Sequence, residues 1–109
     1  MNELETQLLR AECGGAEPAF CLRTHTTIDA GRWWRPTPVW LCIVGDELML
    51  LAVARRRFVE RVKLAECHAS YYHHATGQLV IEPTEQLRIK HLSLTPREAL
   101  DVLNHLRAS

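Results

Sequence analysis

Val39-Trp40-Leu41-Cys42-Ile43-Val44, Gly45-Asp46, Glu47-Leu48-Met49-Leu50-Leu51-Ala52-Val53-Ala54: two apolar, partly β-branched runs flank a two-residue turn. This reads as a β-hairpin, and glycine in the first turn position suits the type II′ geometry that matches strand twist. A turn of that length fixes the pairing. Val44 faces Glu47, Ile43 faces Leu48, Cys42 faces Met49, Leu41 faces Leu50 and Trp40 faces Leu51. Alternation then puts Val39, Leu41, Ile43, Leu48, Leu50 and Ala52 on one face, and Trp40, Cys42, Met49, Leu51 and Val53 on the other. Both faces are apolar, whereas a hairpin wet on one side would alternate with polar residues. One face must line the core, and the other needs a separate cover.

The chain has 109 residues, the size of one domain able to bury a core without metal or disulfides. Its 13 basic and 13 acidic residues balance, which argues against a generic nucleic-acid binder. The start, Met1-Asn2-Glu3-Leu4-Glu5-Thr6-Gln7, is polar and acidic, unlike a signal peptide. No apolar run approaches the ~20 residues of a membrane-spanning helix. The four cysteines (Cys13, Cys21, Cys42, Cys67) show no CxxC spacing. Free thiols in a reducing, cytoplasmic setting are the expectation.

Along the chain, residues 2–12 have helix-forming composition, with Leu4, Leu8 and Leu9 on one side and Gly14-Gly15 as the stop. So short a helix is marginal alone and needs a surface; the outer face of the hairpin offers one. Residues 20–29 read as a strand and residues 30–38 as a loop, since Gly31, Pro36 and Pro38 oppose regular pairing. After the hairpin, strands are expected at 58–65, 66–74, 78–82 and 85–92, the last with Leu87, Ile89 and His91 inward. Thr95-Pro96-Arg97-Glu98 then combines an N-cap threonine, proline at the first helical position and a capping-box glutamate. Ala99, Leu100, Val102, Leu103 and Leu106 follow as an apolar stripe. The expected domain is therefore mainly β with α: a helical segment and linker over 1–19, then seven antiparallel strands and a C-terminal helix over 20–109.

This order resembles the pleckstrin-homology-like (PH-like) superfamily, in particular its bacterial PH and GRAM-like members. The resemblance spans about residues 20–107 and rests on the hairpin, the Arg55-Arg56-Arg57 break after it, the weaker strand beyond, and the helix after Thr95. It implies two bent sheets forming a partly open barrel capped by the C-terminal helix. Another small antiparallel barrel with a terminal helix fits the same pattern. The resemblance also implies ligand-facing loops after the first and third strands. Those positions hold Arg32, Trp33, Trp34, Arg35 and Arg55, Arg56, Arg57. Arginine suits phosphate, and tryptophan suits the water–lipid boundary. Phosphoinositide-binding members continue the basic motif into the second strand; here Thr37-Pro38-Val39-Trp40 carries no Lys or Arg. In the plainer reading a tryptophan covers a barrel edge and the arginines are a solvated turn with Glu partners.

Other chemistry is sparse. Cys67, His68, His73 and His74 suggest zinc, which needs four convergent ligands. On a strand Cys67 and His73 share one face and His68 and His74 the other, so His25, His91 or Cys21 would have to complete a set. No metal site or cofactor is therefore assigned. No Gly-rich phosphate loop, GxSxG or HExxH occurs, and no catalytic residue is assigned. Trp40, Met49, Leu51 and Val53 form a face for a protein partner or a second copy of the chain, unless residues 2–12 cover it in cis. The expectation is a non-enzymatic binding or adaptor module acting through protein–protein contacts and self-association. The alternative is a peripheral membrane module using the arginine loops for anionic lipid headgroups. A small metal protein or enzyme built on the His-rich stretch comes last.

Overall fold

A computed structural model describes residues 1–29 and 36–107. The hairpin is β2 (Thr37–Val44) and β3 (Glu47–Val53), with the pairing of all five predicted couples from Val44–Glu47 to Trp40–Leu51. Gly45 has φ +60°, and no described non-glycine residue has positive φ, so Asp46 does not follow it there. That is the signature of type II′ rather than I′. Strand β1 (Phe20–Ile28) pairs with β2, and β4 (Arg57–Lys63) with β3, giving an antiparallel sheet β1-β2-β3-β4. A second antiparallel sheet holds β5 (Tyr71–His73), β6 (Gln78–Val80) and β7 (His91–Ser93) in that order.

The two faces of the hairpin separate as alternation requires. Val39, Leu41, Ile43, Leu48, Leu50 and Ala52 enter the main core with Leu79, Ile81 and Leu92 of the second sheet region. Helix α2 (Pro96–Arg107) adds Ala99, Val102, Leu103 and Leu106 to that core. Cys42, Val44, Met49, Leu51 and Val53 form a separate cluster with Leu8 and Leu9 of α1 (Glu3–Cys13). The N-terminal helix thus covers the outer face in cis.

The sheets are not closed into the partly open barrel expected. Between β1 and β7 the Ser93 amide donates to Thr26 Oγ1 at 2.8 Å, a side-chain bond rather than a strand ladder. Several assignments are also corrected: β2 begins at Thr37, inside the loop expected over 30–38, with Pro38 the ladder partner of Thr27, and the strand expected over 78–82 ends at Val80. The chain leaves β4 at Lys63 and forms a 3-10 turn over Leu64–Cys67. Leu64 and Cys67 are both buried; a turn of three residues puts them on one side, whereas a strand would oppose them. The strand expected over 66–74 is therefore only Tyr71–His73. The strand expected over 85–92 is only His91–Ser93, with inward Leu92 and Leu94 and an exposed His91. Upstream, the Arg88 amide donates to both oxygens of the Glu60 carboxylate (2.9 and 3.0 Å), and the Ile89 amide to one of them (3.4 Å). A side chain satisfies the backbone there, so no ladder is needed.

Cys21 and Cys42 occupy opposed positions on β1 and β2, with Cα atoms 4.3 Å apart, and are joined as a disulfide. This corrects the expectation of four free thiols, and thiol count no longer argues for a reducing compartment. Cys13 and Cys67 are free. Leu100, placed by its spacing in the apolar stripe of α2, is 54% exposed, and Leu4 of α1 is 49% exposed.

Two outcomes follow from α2. Leu103→Ala should cost about 2–5 kcal/mol in urea unfolding, whereas Leu100→Ala should stay within about 0.5 kcal/mol. The second concerns acid. Glu98 Oε1 accepts from the Thr95 amide at 2.9 Å, and this bond chiefly holds the carboxyl below its ordinary range. Partial burial opposes it, and the Thr95 hydroxyl and His25 assist it. The ionised cap therefore contributes fully above the unfolded carboxyl value, and the contribution is lost as pH falls through the lower, folded value. Glu98→Gln should flatten the acid limb of a stability–pH curve measured by urea titration.

Candidate functional site

The turn after β3 leaves the ladder at Ala54, whose amide donates to the Arg56 carbonyl at 3.1 Å. Arg55, Arg56 and Arg57 are all exposed. Arg57 is the ladder partner of Val53. Cross-strand partners share a face, so Arg57 lies on the side of the sheet that α1 covers. Arg56 reaches Asp29, just beyond β1, at 3.6 Å. The β3–β4 turn and the stem of the β1–β2 connection therefore leave the sheet at one end and touch there. Arg32, Trp33, Trp34 and Arg35 lie outside the described residues.

The charges on this side of β4 are compensated unevenly. Arg61 donates to the Glu12 carbonyl and carboxylate (3.2 and 3.4 Å) and to Glu47 (3.0 Å). Lys63 pairs with Asp46 at 3.2 Å. At the opposite end Arg55 and Arg57 have no ion pair among the described residues.

The N-terminal turn of α1 closes on this same end. Asn2 caps the helix: its side chain accepts from the Glu5 amide at 2.9 Å, and Glu5 Oε1 accepts from the Asn2 amide at 2.9 Å. Glu5 is only 4% exposed, and its Oε2 accepts from the Trp40 indole at 2.6 Å. Both carboxylate oxygens are thus satisfied, as a buried charge requires. The sequence reading missed this pair, although Asn2-x-x-Glu5 is itself a capping-box signal. Two clefts flank the turn. One of about 430 Å³ lies on the β1–β2 side, lined by Asn2, Glu5, Arg23, Pro38, Trp40 and Ala54 among others. One of about 270 Å³ lies on the β4 side against Arg55 and Arg57.

As an interaction face, Met49, Leu51 and Val53 are not available while α1 is seated, because all three are buried beneath it. Trp40 stays half-buried, engaged by Glu5. The His-rich stretch does not assemble either. His68 Nδ1 lies 3.1 Å from the Ala65 carbonyl, His73 Nδ1 lies 3.2 Å from the Thr76 hydroxyl, and the His74 ring packs edge-on to Tyr72. Among the described residues no three of His, Cys, Asp and Glu come together in a way that could hold a metal ion. Burial, and to a lesser degree Glu66, push the Cys67 thiol up to about 11, so it stays protonated at neutral pH. No helix of the described residues is long and apolar enough to cross a membrane. No family model, curated protein or solved structure matches the chain.

Seating of α1 can be tested directly. Leu9→Asp puts a charge into the cluster holding Met49 and Leu51 and should unseat the helix. Light scattering should then show concentration-dependent oligomers, while the parent chain gives one monomer mass.

Proposed function

We propose that the chain is a non-enzymatic PH-like binding module that acts through protein–protein contacts, its working part being the sheet end that carries Arg55–Arg57. The order of elements supports the PH-like reading: a four-stranded antiparallel sheet, a three-stranded one, then an amphipathic helix. The observation that carries the location is the approach of Arg56 to Asp29, which brings the β3–β4 turn against the stem just beyond β1. Arg55 and Arg57, exposed and with no ion pair among the described residues, offer donors to a carboxylate or phosphate, and the planar fork binds either bidentately. Self-association through the outer hairpin face is not part of this reading, since α1 occupies that face.

A second reading places anionic lipid headgroups on the same guanidinium groups. It uses Arg55 and Arg57 equally well and differs in the source of the anion.

Site-specific photo-crosslinking in the producing cells separates them. A crosslinking residue at position 55 should capture protein, and one at position 46, at the other end of the hairpin, should not. Lipid adducts at position 55 would favour the membrane reading. Equal protein capture at both positions would remove the assignment of the working end.

A further inference from the structure

Leu4, Leu8 and Ala11 follow at helical spacing along one side of α1. They face Val53, Arg55 and Arg57 across the groove of about 270 Å³. Leu8 and Val53 are buried and form the floor, while Leu4 is half-exposed at the rim. Among the described residues no acidic one lines this groove, in contrast to its neighbour, which contains Glu5. Its volume is below the roughly 300–1,000 Å³ usual for small-molecule sites, which suits a single inserted side chain better than a whole metabolite. Leu8 and Val53 lie recessed between helix and turn, with Leu4 and Ala11 exposed beside them, a floor and rim that suit an inserted side chain.

We propose that this groove docks an acidic peptide segment of a protein partner, with carboxylates on Arg55 and Arg57 and one branched apolar side chain laid over Leu4 against Leu8 and Ala11. This rests on the reading above that the partner is a protein, and charge complementarity selects the occupant. A carboxylate meets each guanidinium through paired N–H donors, and no lining acid repels the incoming segment.

The test is an anisotropy titration at low salt with a fluorescein-labelled peptide of alternating glutamate and leucine, using the full chain. Arg55→Glu with Arg57→Glu should weaken binding by about tenfold or more, from lost charged hydrogen bonds. Leu4→Ser, at an exposed position that leaves the core intact, should weaken it by about fivefold, from lost apolar burial. Melting curves should show both variants folded. Replacing the peptide's glutamates with glutamine should abolish binding. Loss confined to the arginine variant, with Leu4→Ser unchanged, would overturn the groove while leaving a protein-binding rim. Binding to phosphatidylserine vesicles but not to the peptide would overturn both this inference and the protein-partner reading. Binding to neither probe would overturn the groove alone, because crosslinking at position 55 judges the broader reading separately.

Discussion

The constraint on which this molecule depends is that β2 and β3 are apolar on both faces. A central hairpin of that kind exposes too much surface unless two covers are supplied, one on each side. The β5–β7 sheet and α2 supply the first. The second comes from eleven residues of helix, too few to be stable alone in water. Leu8 and Leu9 seat that helix, at about 1.5–3 kcal/mol for each large aliphatic fully buried. The Glu5–Trp40 bond then determines where along the sheet it sits. A buried carboxylate is tolerable only with its donors in place; the Asn2 amide belongs to the helix's own cap, so the indole is the donor that specifies one position of α1 on the sheet. Both clefts at the arginine end inherit their walls from that position.

How far the sequence could be read depended on how local the determinants were. The β2–β3 register was legible to the residue because a two-residue turn permits one pairing. Both caps were local too, although only the Thr95–Glu98 cap was recognised. The second sheet was not legible. Its strands have three residues each, too few for periodicity to register. The backbone near Arg88 takes its hydrogen bonds from Glu60, 28 positions away. Leu64 and Cys67 read as strand residues until both proved to point inward, which only a tight turn permits. The Cys21–Cys42 pairing was hidden because register between β1 and β2 does not follow from a long connection. Leu4 and Leu100 show a related limit: spacing identifies an apolar stripe, but the surface it docks on decides how wide a stripe is buried.

The candidate site divides in the same way. That Arg55 and Arg56 stand in a turn was evident from the break in the apolar run, whereas Arg57, expected in the same loop, already belongs to β4. Which face Arg57 takes required the β3–β4 register, and the contact of the β3–β4 turn with the stem beyond β1 required the Asp29–Arg56 approach. The balance of 13 basic and 13 acidic residues was uninformative here, because composition averages over the whole chain.

Position along β4 restores that information. From Lys63 to Arg57 the strand runs about 20 Å, at ~3.3 Å per residue. The acids that neutralise Arg61 and Lys63 lie at the far end, beyond the roughly 8–10 Å over which exposed charges act at physiological salt. They cannot offset Arg55 and Arg57; the acids at the arginine end are Asp29, paired with Arg56, and Glu3 and Glu5 in the first turn of α1. The pair that does form there, Arg56 with Asp29, is exposed on both sides. Such pairs contribute at most about 1 kcal/mol, so it marks where the β3–β4 turn meets the end of β1 more than it holds them together. Folding therefore depends little on how these arginines are paired. Arg55 and Arg57 form no ion pair among the described residues, and the doubly covered hairpin beneath holds the backbone that carries them.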